Sequence, residues 1–138
     1  MNERIVCLDI GDVRIGVAVS DRSGMIASPV EVVTRVGWGP DTKKIAAICD
    51  RSETRLILSG LPKNMDGSEG PRAEKSRAFA ELLRADSGLE VVLWDERRSS
   101  IEAHAILHAA GKKEKVHRRT VDAVAASLIL EGYLGRRR

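Results

Sequence analysis

The chain carries carboxylates at three separate places where apolar segments meet polar ones. Asp9 interrupts the apolar run Ile-Val-Cys-Leu-Asp-Ile, and the pair Asp95-Glu96 directly follows Val-Val-Leu-Trp. Asp122 lies at the beginning of the apolar segment near the end of the chain. Asp9 is the strongest single candidate for a functional acid, because a carboxylate inside a buried segment needs a partner that neutralises it.

Five strands and four helices are predicted to position these acids. The strands are predicted over Ile5–Ile10, Arg14–Ser20, Ile26–Thr34, Leu56–Leu58 with its end at Gly60, and Glu90–Trp94. The helices are predicted from an Asp41 N-cap through Cys49, from Pro71 to Ser87, from Ser100 to Ala110, and from a Thr120 cap to about Gly135. The apolar face of the last helix is predicted to comprise Val121, Val124, Ala125 and Leu128.

The order of these elements predicts an α/β fold with a mixed five-stranded sheet, whose first three strands are antiparallel and whose helices pack on both faces. If the last helix lies across this sheet, the ends of the first and fifth strands meet the start of that helix. Asp9, Glu96 and Asp122 would then form a cluster of like charges, which is costly unless a cation neutralises it. Mg²⁺ or Mn²⁺, bound by carboxylates and water, fits that requirement.

Two such ions about 4 Å apart can activate a water molecule and stabilise the leaving oxygen of a phosphodiester. We therefore predict phosphodiester hydrolysis with Asp9, Glu96 and Asp122 as catalytic residues, and with Asp95 as a further metal ligand beside these three. Structural roles stay open as well. Asp122 would suit the first turn of a helix whatever its function, and Asp95 or Glu96 could pair with the arginines that follow them.

Basic residues are the second feature that points to phosphate. The formal net charge is only +3, but the cations are clustered. The predicted nucleic-acid contacts are Arg14, Lys63, Asn64, Arg97, Lys112, Lys113, Arg118 and Arg119. A solvated loop is the competing interpretation of each cluster; if they bind the backbone, affinity should weaken as salt is raised.

The bulk properties of the chain exclude several other classes of protein. At 138 residues with 43% hydrophobic content, residues 1–138 are predicted to form one domain, with residues 136–138 as a basic tail. The sequence lacks a run of about 20 apolar residues and a signal-peptide pattern, so we expect a cytoplasmic protein without membrane contact. The two cysteines, Cys7 and Cys49, lie in apolar segments without metal-site spacing and are predicted to be core residues.

Three segments together resemble a known family. They are Leu8-Asp9-Ile10-Gly11 with Arg14-Ile15-Gly16-Val17-Ala18, then Gly60-Leu61-Pro62-Lys63-Asn64-Met65-Asp66-Gly67, then Asp95-Glu96-Arg97 with Asp122-Ala123-Val124-Ala125-Ala126. The sequence resembles the YqgF/RuvX family of pre-ribosomal-RNA nucleases and Holliday-junction-resolvase-like proteins. The resemblance runs from about Ile5 to Leu134, which is nearly the whole chain.

This resemblance implies a ribonuclease H-like fold and cleavage that depends on a divalent metal. It also implies a role in maturing the small-subunit (16S) ribosomal RNA precursor or in cleaving branched DNA such as Holliday junctions. The family's acidic positions fall on Asp9, on Glu96 with Asp95 beside it, and on Asp122. Two departures affect substrate preference rather than catalysis: Arg98-Ser99-Ser100 replaces the usual Leu-Ser-Thr, and Asp12-Val13 follows Gly11.

Two other functions remain open at the level of sequence. The Asp-x-Gly turn at Asp9 also occurs in actin-like nucleotide-binding proteins, although their sites need two domains and this chain is short. A non-catalytic RNA-binding module for ribosome assembly would use the same basic clusters without cutting. The choice between RNA and DNA, and between monomer and homodimer, is left open as well.

Overall fold

A five-stranded mixed sheet forms the centre of the computed structural model, which describes residues 3–96 and 118–137. Its strands are β1 (Arg4–Ile10), β2 (Arg14–Ser20), β3 (Ala27–Thr34), β4 (Thr54–Leu61) and β5 (Glu90–Asp95). The described helices are α1 (Trp38–Arg51), α2 (Pro71–Ser87) and α3 (Arg118–Arg137). None of these three helices has both the length and the apolar character that crossing a membrane requires.

The strand order in the sheet is β3-β2-β1-β4-β5. β1 pairs antiparallel with β2, and β2 pairs antiparallel with β3, so the predicted antiparallel meander of the first three strands is confirmed. β4 runs parallel to β1 and to β5. Because β1 and β5 both end at the same edge of the sheet as β4, residues that follow these strands lie close together there.

Helices pack on both faces of the sheet, as predicted. Side chains alternate between the faces along each strand, so Val6 and Leu8 of β1 join the core beneath α1 and α2, whereas Ile5 and Cys7 join the core beneath α3. Both cysteines are free and buried, in agreement with their predicted place in the core. Helices therefore cover both faces of the sheet, so a functional site is expected at its edge.

Both boundaries of α2 match the sequence signals, whereas the start of α1 does not. Pro71 occupies the first turn of α2, and Gly88 ends it in the left-handed conformation with φ of 69°. Asp41 is not the N-cap of α1, because the helix begins earlier, after Gly37. Asp41 is instead fully buried in the first turn, where its carboxylate accepts a hydrogen bond from the Val36 N–H and pairs with Arg35. The predicted helix over 100–110 lies outside the described residues.

α3 also differs from its prediction in where it begins and in which face it buries. Thr120 lies inside the helix rather than capping it, because the helix already includes Arg118. Val121 and Val124 are only half-buried. The buried face comprises Ala123, Ala126, Ser127, Ile129, Leu130 and Leu134. Small residues on this face allow the helix backbone to lie close to β2, which the spacing of the larger apolar residues did not reveal.

The closest approach between α3 and the sheet is at Gly16 of β2. A Cβ atom at Gly16 would lie 1.9 Å from the backbone carbonyl oxygen of Asp122 and 3.0 Å from the backbone nitrogen of Ala123. Real Cβ atoms do not approach backbone this closely, so the helix can occupy its position only because residue 16 is glycine. This contact fixes where Asp122 lies relative to β1.

We therefore predict that Gly16→Ala destabilises the protein and displaces α3. The expected loss is about 1–3 kcal/mol in the free energy of unfolding, the range for overpacking a tight contact. Gly132→Ala in the same helix is the control, since no atom lies within 4 Å of a Cβ at that position. Gly132→Ala should be neutral or stabilising by up to about 1 kcal/mol, because alanine favours the helix. Urea unfolding of both variants tests this, and equal stabilities would contradict the close approach.

Candidate active site

Asp9 lies near the end of β1 with a glycine on each side of it in the sheet. Its register partner on β2 is Gly16. On β4, Ser59 pairs with Leu8, so the next residue, Gly60, lies beside Asp9. Asp9 points to the α3 face, as Cys7 does two residues earlier. The two glycines leave space over the sheet on both sides of its carboxylate.

Glu96 occupies the space above Gly60. A Cβ atom at Gly60 would lie 2.8 Å from Glu96 Oε1 and 3.0 Å from its Cδ, so the glutamate side chain lies across β4. In this position its carboxyl group shares a hydrogen bond with the carboxyl group of Asp9. The residue that follows β5 thereby reaches a residue of β1 even though another strand separates them.

Asp122 approaches Asp9 from the other side, above Gly16. The side chain of Asp122 accepts a hydrogen bond from Arg14 Nε over 2.6 Å, and both side chains are about one-third exposed. The negative charge of Asp122 is nevertheless close enough to raise the pKa of Asp9. The predicted convergence of three distant acids at one edge of the sheet is thus present, with the third acid held on an arginine.

Burial is the main cause of the unusual proton affinities of Asp9 and Glu96. Burial raises the pKa of Asp9, the charge of Asp122 raises it further, and the hydrogen bond from Glu96 and the charge of Arg72 oppose this. Burial followed by the charge of Asp9 raises the pKa of Glu96 to about 8. Near neutral pH the pair therefore retains a proton on Glu96 that Asp9 accepts, because two adjacent charged carboxylates are unfavourable there.

The donor set suits a hard divalent cation, since carboxylate oxygens are its preferred protein ligands and a cation would offset the repulsion within the pair. Within residues 3–96 and 118–137, however, no three acidic, histidine or cysteine side chains are grouped as a metal-ligand set. The pair of Asp9 and Glu96 could hold a cation once Glu96 releases its proton, whereas Asp122 is paired with Arg14. The geometry therefore offers Asp9 and Glu96 as candidate ligands, and Asp122 as a third if its ion pair with Arg14 opens.

Comparison with known proteins identifies the family. The family model described as RuvX, Holliday junction resolvase, matches residues 3–136. This chain belongs to the RuvX family. A relative from Halothermothrix orenii is 47% identical over 95% of this chain and 94% of its own length, and one from Clostridioides difficile is 42% identical over 97% and 95%. Both carry the name "Putative pre-16S rRNA nuclease".

Solved structures agree on the fold of this RuvX protein. Thermus thermophilus RuvC in complex with a Holliday junction substrate superposes with a TM-score of 0.63 at 13% identity, covering 97% of this chain and 96% of RuvC. The Fowlpox virus resolvase complex with Holliday junction DNA gives 0.56 at 11% identity, covering 96% and 97%. The predicted ribonuclease H-like fold is confirmed, and with the family it makes the protein a nuclease, a hydrolase of phosphodiester bonds.

The structure shows which of Asp95 and Glu96 faces the acidic site, a choice that the sequence of this RuvX protein left open. Trp94 belongs to the core beneath α3, so Asp95, the next residue along β5, lies on the opposite face of the sheet. The charge of Asp95 contributes least among the influences on Glu96 and raises its pKa. Glu96, which reaches Asp9, is the better candidate of the two for a metal ligand.

The predicted nucleic-acid contacts are only partly described by the structure. Arg14 lies within the site, on Asp122. Lys63 is half-buried in the loop after β4, and the Asn64 side chain donates to Ser68 Oγ over 2.9 Å, which closes that loop. Arg97, Lys112 and Lys113 lie outside the described residues, as do the side chains of Arg118 and Arg119. Asp66 accepts from the Ser68 N–H beside Gly67 at φ of 91°, the turn chemistry typical of Asp-Gly.

Sequence reasoning did not assign a role to three further residues of the site. Gly16 and Gly60 were assigned to strands without a role, although a glycine inside a buried strand often marks a close approach by another group. Arg72 follows the proline that begins α2, and its charge lowers the pKa of both Asp9 and Glu96. It could be found only from coordinates, since nothing in its local sequence relates it to the acids.

We predict that the metal-free protein loses stability as pH rises from about 5 to 8. Because the pKa of Glu96 in the folded protein is about 8 and its ordinary value is 4.5, the folded state holds a proton that the unfolded chain releases. This stabilisation is complete below the ordinary value and disappears as pH passes through 8. The loss should be at least on the order of 1 kcal/mol, the scale of one tenfold change in proton affinity.

Urea unfolding in EDTA at several pH values measures this loss. Glu96→Gln, which cannot ionise, should flatten the dependence and be more stable than wild type at pH 8. Glu90→Gln is the control, because Glu90 is exposed at the start of the same strand. If wild type and Glu96→Gln have the same slope, Glu96 does not hold the shared proton.

Proposed function

We propose that Asp9, Glu96 and Asp122 form the catalytic centre with which this protein hydrolyses phosphodiester bonds in structured nucleic acid. The observation that supports this most is that Glu96 from the end of β5 reaches Asp9 of β1 across Gly60, while the start of α3 packs on Gly16 and brings the charge of Asp122 close enough to act on Asp9. Nothing in the packing of the fold requires acids there, since burial disfavours their charged forms. A function that needs concentrated negative charge explains their presence.

Asp9 and Glu96 would hold a divalent cation, Mg²⁺ or Mn²⁺, and Asp122 would complete the ligand set for one or two ions. When bound, such ions supply a Lewis acid for the phosphate and lower the pKa of a coordinated water. Arg14 holds Asp122 while the site is free and is itself one-third exposed. We infer that Arg14 exchanges Asp122 for a substrate phosphate, which joins substrate binding to completion of the acidic site.

The substrate is proposed to be the precursor of small-subunit (16S) ribosomal RNA. The relatives at 42–47% identity, whose full lengths match this chain, are named for that activity. Branched DNA is the second candidate, because the description of the matching family is Holliday junction resolvase. Both substrates agree with a cytoplasmic protein. Cleavage of a symmetric junction on both sides would need two copies of the chain, whereas trimming of RNA would not.

Asp9→Asn and Asp122→Asn should each abolish metal-dependent cleavage while leaving the fold intact. The expected loss is about two orders of magnitude or more, the scale seen when one preorganised group is removed from a reaction centre. Asp50→Asn, at an exposed position of α1, is the matched control and should cut at the wild-type rate. The assay compares single-stranded RNA, duplex and four-way junction substrates with Mg²⁺, Mn²⁺ or EDTA. Wild-type cleavage by Asp9→Asn would disprove the assignment.

The basic segment before and at the start of α3 should contribute salt-dependent affinity. Lys113→Ala, Arg118→Ala and Arg119→Ala are each expected to weaken binding and to lower the slope of log affinity against log salt by about 1 per lost phosphate contact. Arg22→Ala, which removes an exposed cation from the turn between β2 and β3, serves as the control. Titrations of a labelled nucleic acid at several salt concentrations test this, and unchanged slopes would exclude the segment from the interface.

A further inference from the structure

A pocket of about 420 Å³ lies beside the acidic site, on the side of the sheet that α1 and α2 cover. Its wall begins at Ile10 and Gly11, which directly follow Asp9 in the chain. The remainder of its wall includes Trp38, Pro62, Arg72, Lys75 and Phe79. We call this cavity the Trp38 pocket. Its volume falls within the range of sites that hold a small organic molecule, roughly 300–1,000 Å³.

Two cations of α2 line the Trp38 pocket without a hydrogen bond or an ion pair to the described residues. Arg72 and Lys75 are three residues apart and therefore occupy one face of the helix. Both side chains are exposed, and neither forms a hydrogen bond or an ion pair with any residue in 3–96 or 118–137. A third cation, Arg35, is already engaged, since it pairs with the buried Asp41 and donates to the Gly11 carbonyl over 2.9 Å. Two positive charges therefore remain for an anionic ligand.

An aromatic surface lines the same pocket. Trp38 is 41% exposed although it is a large apolar side chain, and Phe79 beneath it is fully buried. The two rings meet edge to face with centroids 5.9 Å apart, so Phe79 holds the indole in a defined orientation. A planar base could stack on the exposed part of Trp38, whereas a sugar phosphate alone would leave that surface in water.

Arg72 joins the Trp38 pocket to the acids, because it lines the pocket and its charge also acts on both Asp9 and Glu96. A phosphate on Arg72 would therefore be held by a cation whose charge also acts on the acidic pair. Asp12 is the one other carboxylate in the described wall besides Asp41, and it is exposed in the turn after β1. It would disfavour an anion at its own position and so direct the phosphate toward α2.

We propose that the Trp38 pocket binds one unpaired nucleotide of the substrate, with its base on Trp38 and its phosphate on Arg72 and Lys75. A base within a duplex is covered on both faces by its neighbours and has no free face to stack on Trp38, so the pocket selects substrates with a single-stranded segment beside the cleaved bond. This inference rests on the proposed function and makes it more specific. It assigns substrate selection to α1 and α2, which contribute none of the three acids.

Binding without metal tests the pocket separately from catalysis. A short single-stranded oligonucleotide in EDTA should quench the fluorescence of Trp38, and Trp94→Phe, which leaves Trp38 as the sole tryptophan, should retain that quenching. The blunt duplex of the same sequence and inorganic phosphate at equal concentration should quench little. Equal quenching by the duplex or by phosphate would overturn the proposal.

Substitutions in the pocket should weaken binding of the labelled single strand, followed by anisotropy. Trp38→Ala is expected to lower affinity by about 5- to 100-fold, the range for loss of one stacked base, and Lys75→Ala by several-fold at low salt. Lys43→Ala, an exposed position of α1 outside the pocket, should bind as wild type does. Because Trp38→Ala also loses its contact with Phe79, Lys75→Ala decides the outcome if the first variant unfolds. Equal affinity of Lys75→Ala and Lys43→Ala would overturn the proposal.

Asp9→Asn distinguishes failure of this inference from failure of the proposed function. The variant should still bind the single strand in EDTA in preference to the duplex, since Asp9 does not line the Trp38 pocket. Cleavage by Asp9→Asn would count against the catalytic centre alone. If the wild-type protein and Asp9→Asn both bind the duplex as tightly as the single strand in EDTA, that result would count against the pocket alone.

Discussion

Repulsion between carboxylates at the edge of the sheet is the constraint on which the rest of the structure depends. Asp9 and Glu96 meet in a partly desolvated position, and a third negative charge lies nearby on Asp122. The fold meets this constraint in two ways. One proton is shared between Asp9 and Glu96, and Arg14 pairs with Asp122. Both arrangements can be reversed, so the site remains able to accept a cation and a phosphate.

The glycines beside Asp9 show how the backbone accommodates that cluster. Any side chain at Gly60 would displace Glu96 from Asp9, and any side chain at Gly16 would push the backbone of α3 away from β2. The small residues Ala123 and Ala126 on the buried face of α3 continue the same close packing. The position of Asp122 therefore results from the steric fit between α3 and β2. Its carboxylate lies where that fit places the helix backbone.

The sequence predicted the sheet and its topology well, because apolar strands and antiparallel turns leave strong local patterns. It also named the three acids that converge, since an acid inside an apolar strand is unusual enough to be noticed. It failed where the outcome depended on contacts between distant segments. The buried face of α3 was assigned from large apolar residues, whereas a close approach selected alanines. Asp41 was taken as a cap, whereas Arg35 from the preceding segment holds it in the core. The role of Arg72 was missed for the same reason.

In the proposed function, acids on one face of the sheet and cations on the other would both contribute to recognition of a phosphodiester. Acids dominate the α3 face near the end of β1, and unpaired cations of α2 lie on the other side of the same edge. A phosphate carries negative charge and would be repelled by the acids alone, so it needs cations at a distance short enough to offset them. Arg72 fulfils this condition because its charge acts on Asp9 and Glu96 while its side chain lines the neighbouring pocket. At this edge of the sheet a cation on the acids and a phosphate on α2 could stabilise each other. A nucleotide bound there would then strengthen cation binding at the acidic site that is to act on it.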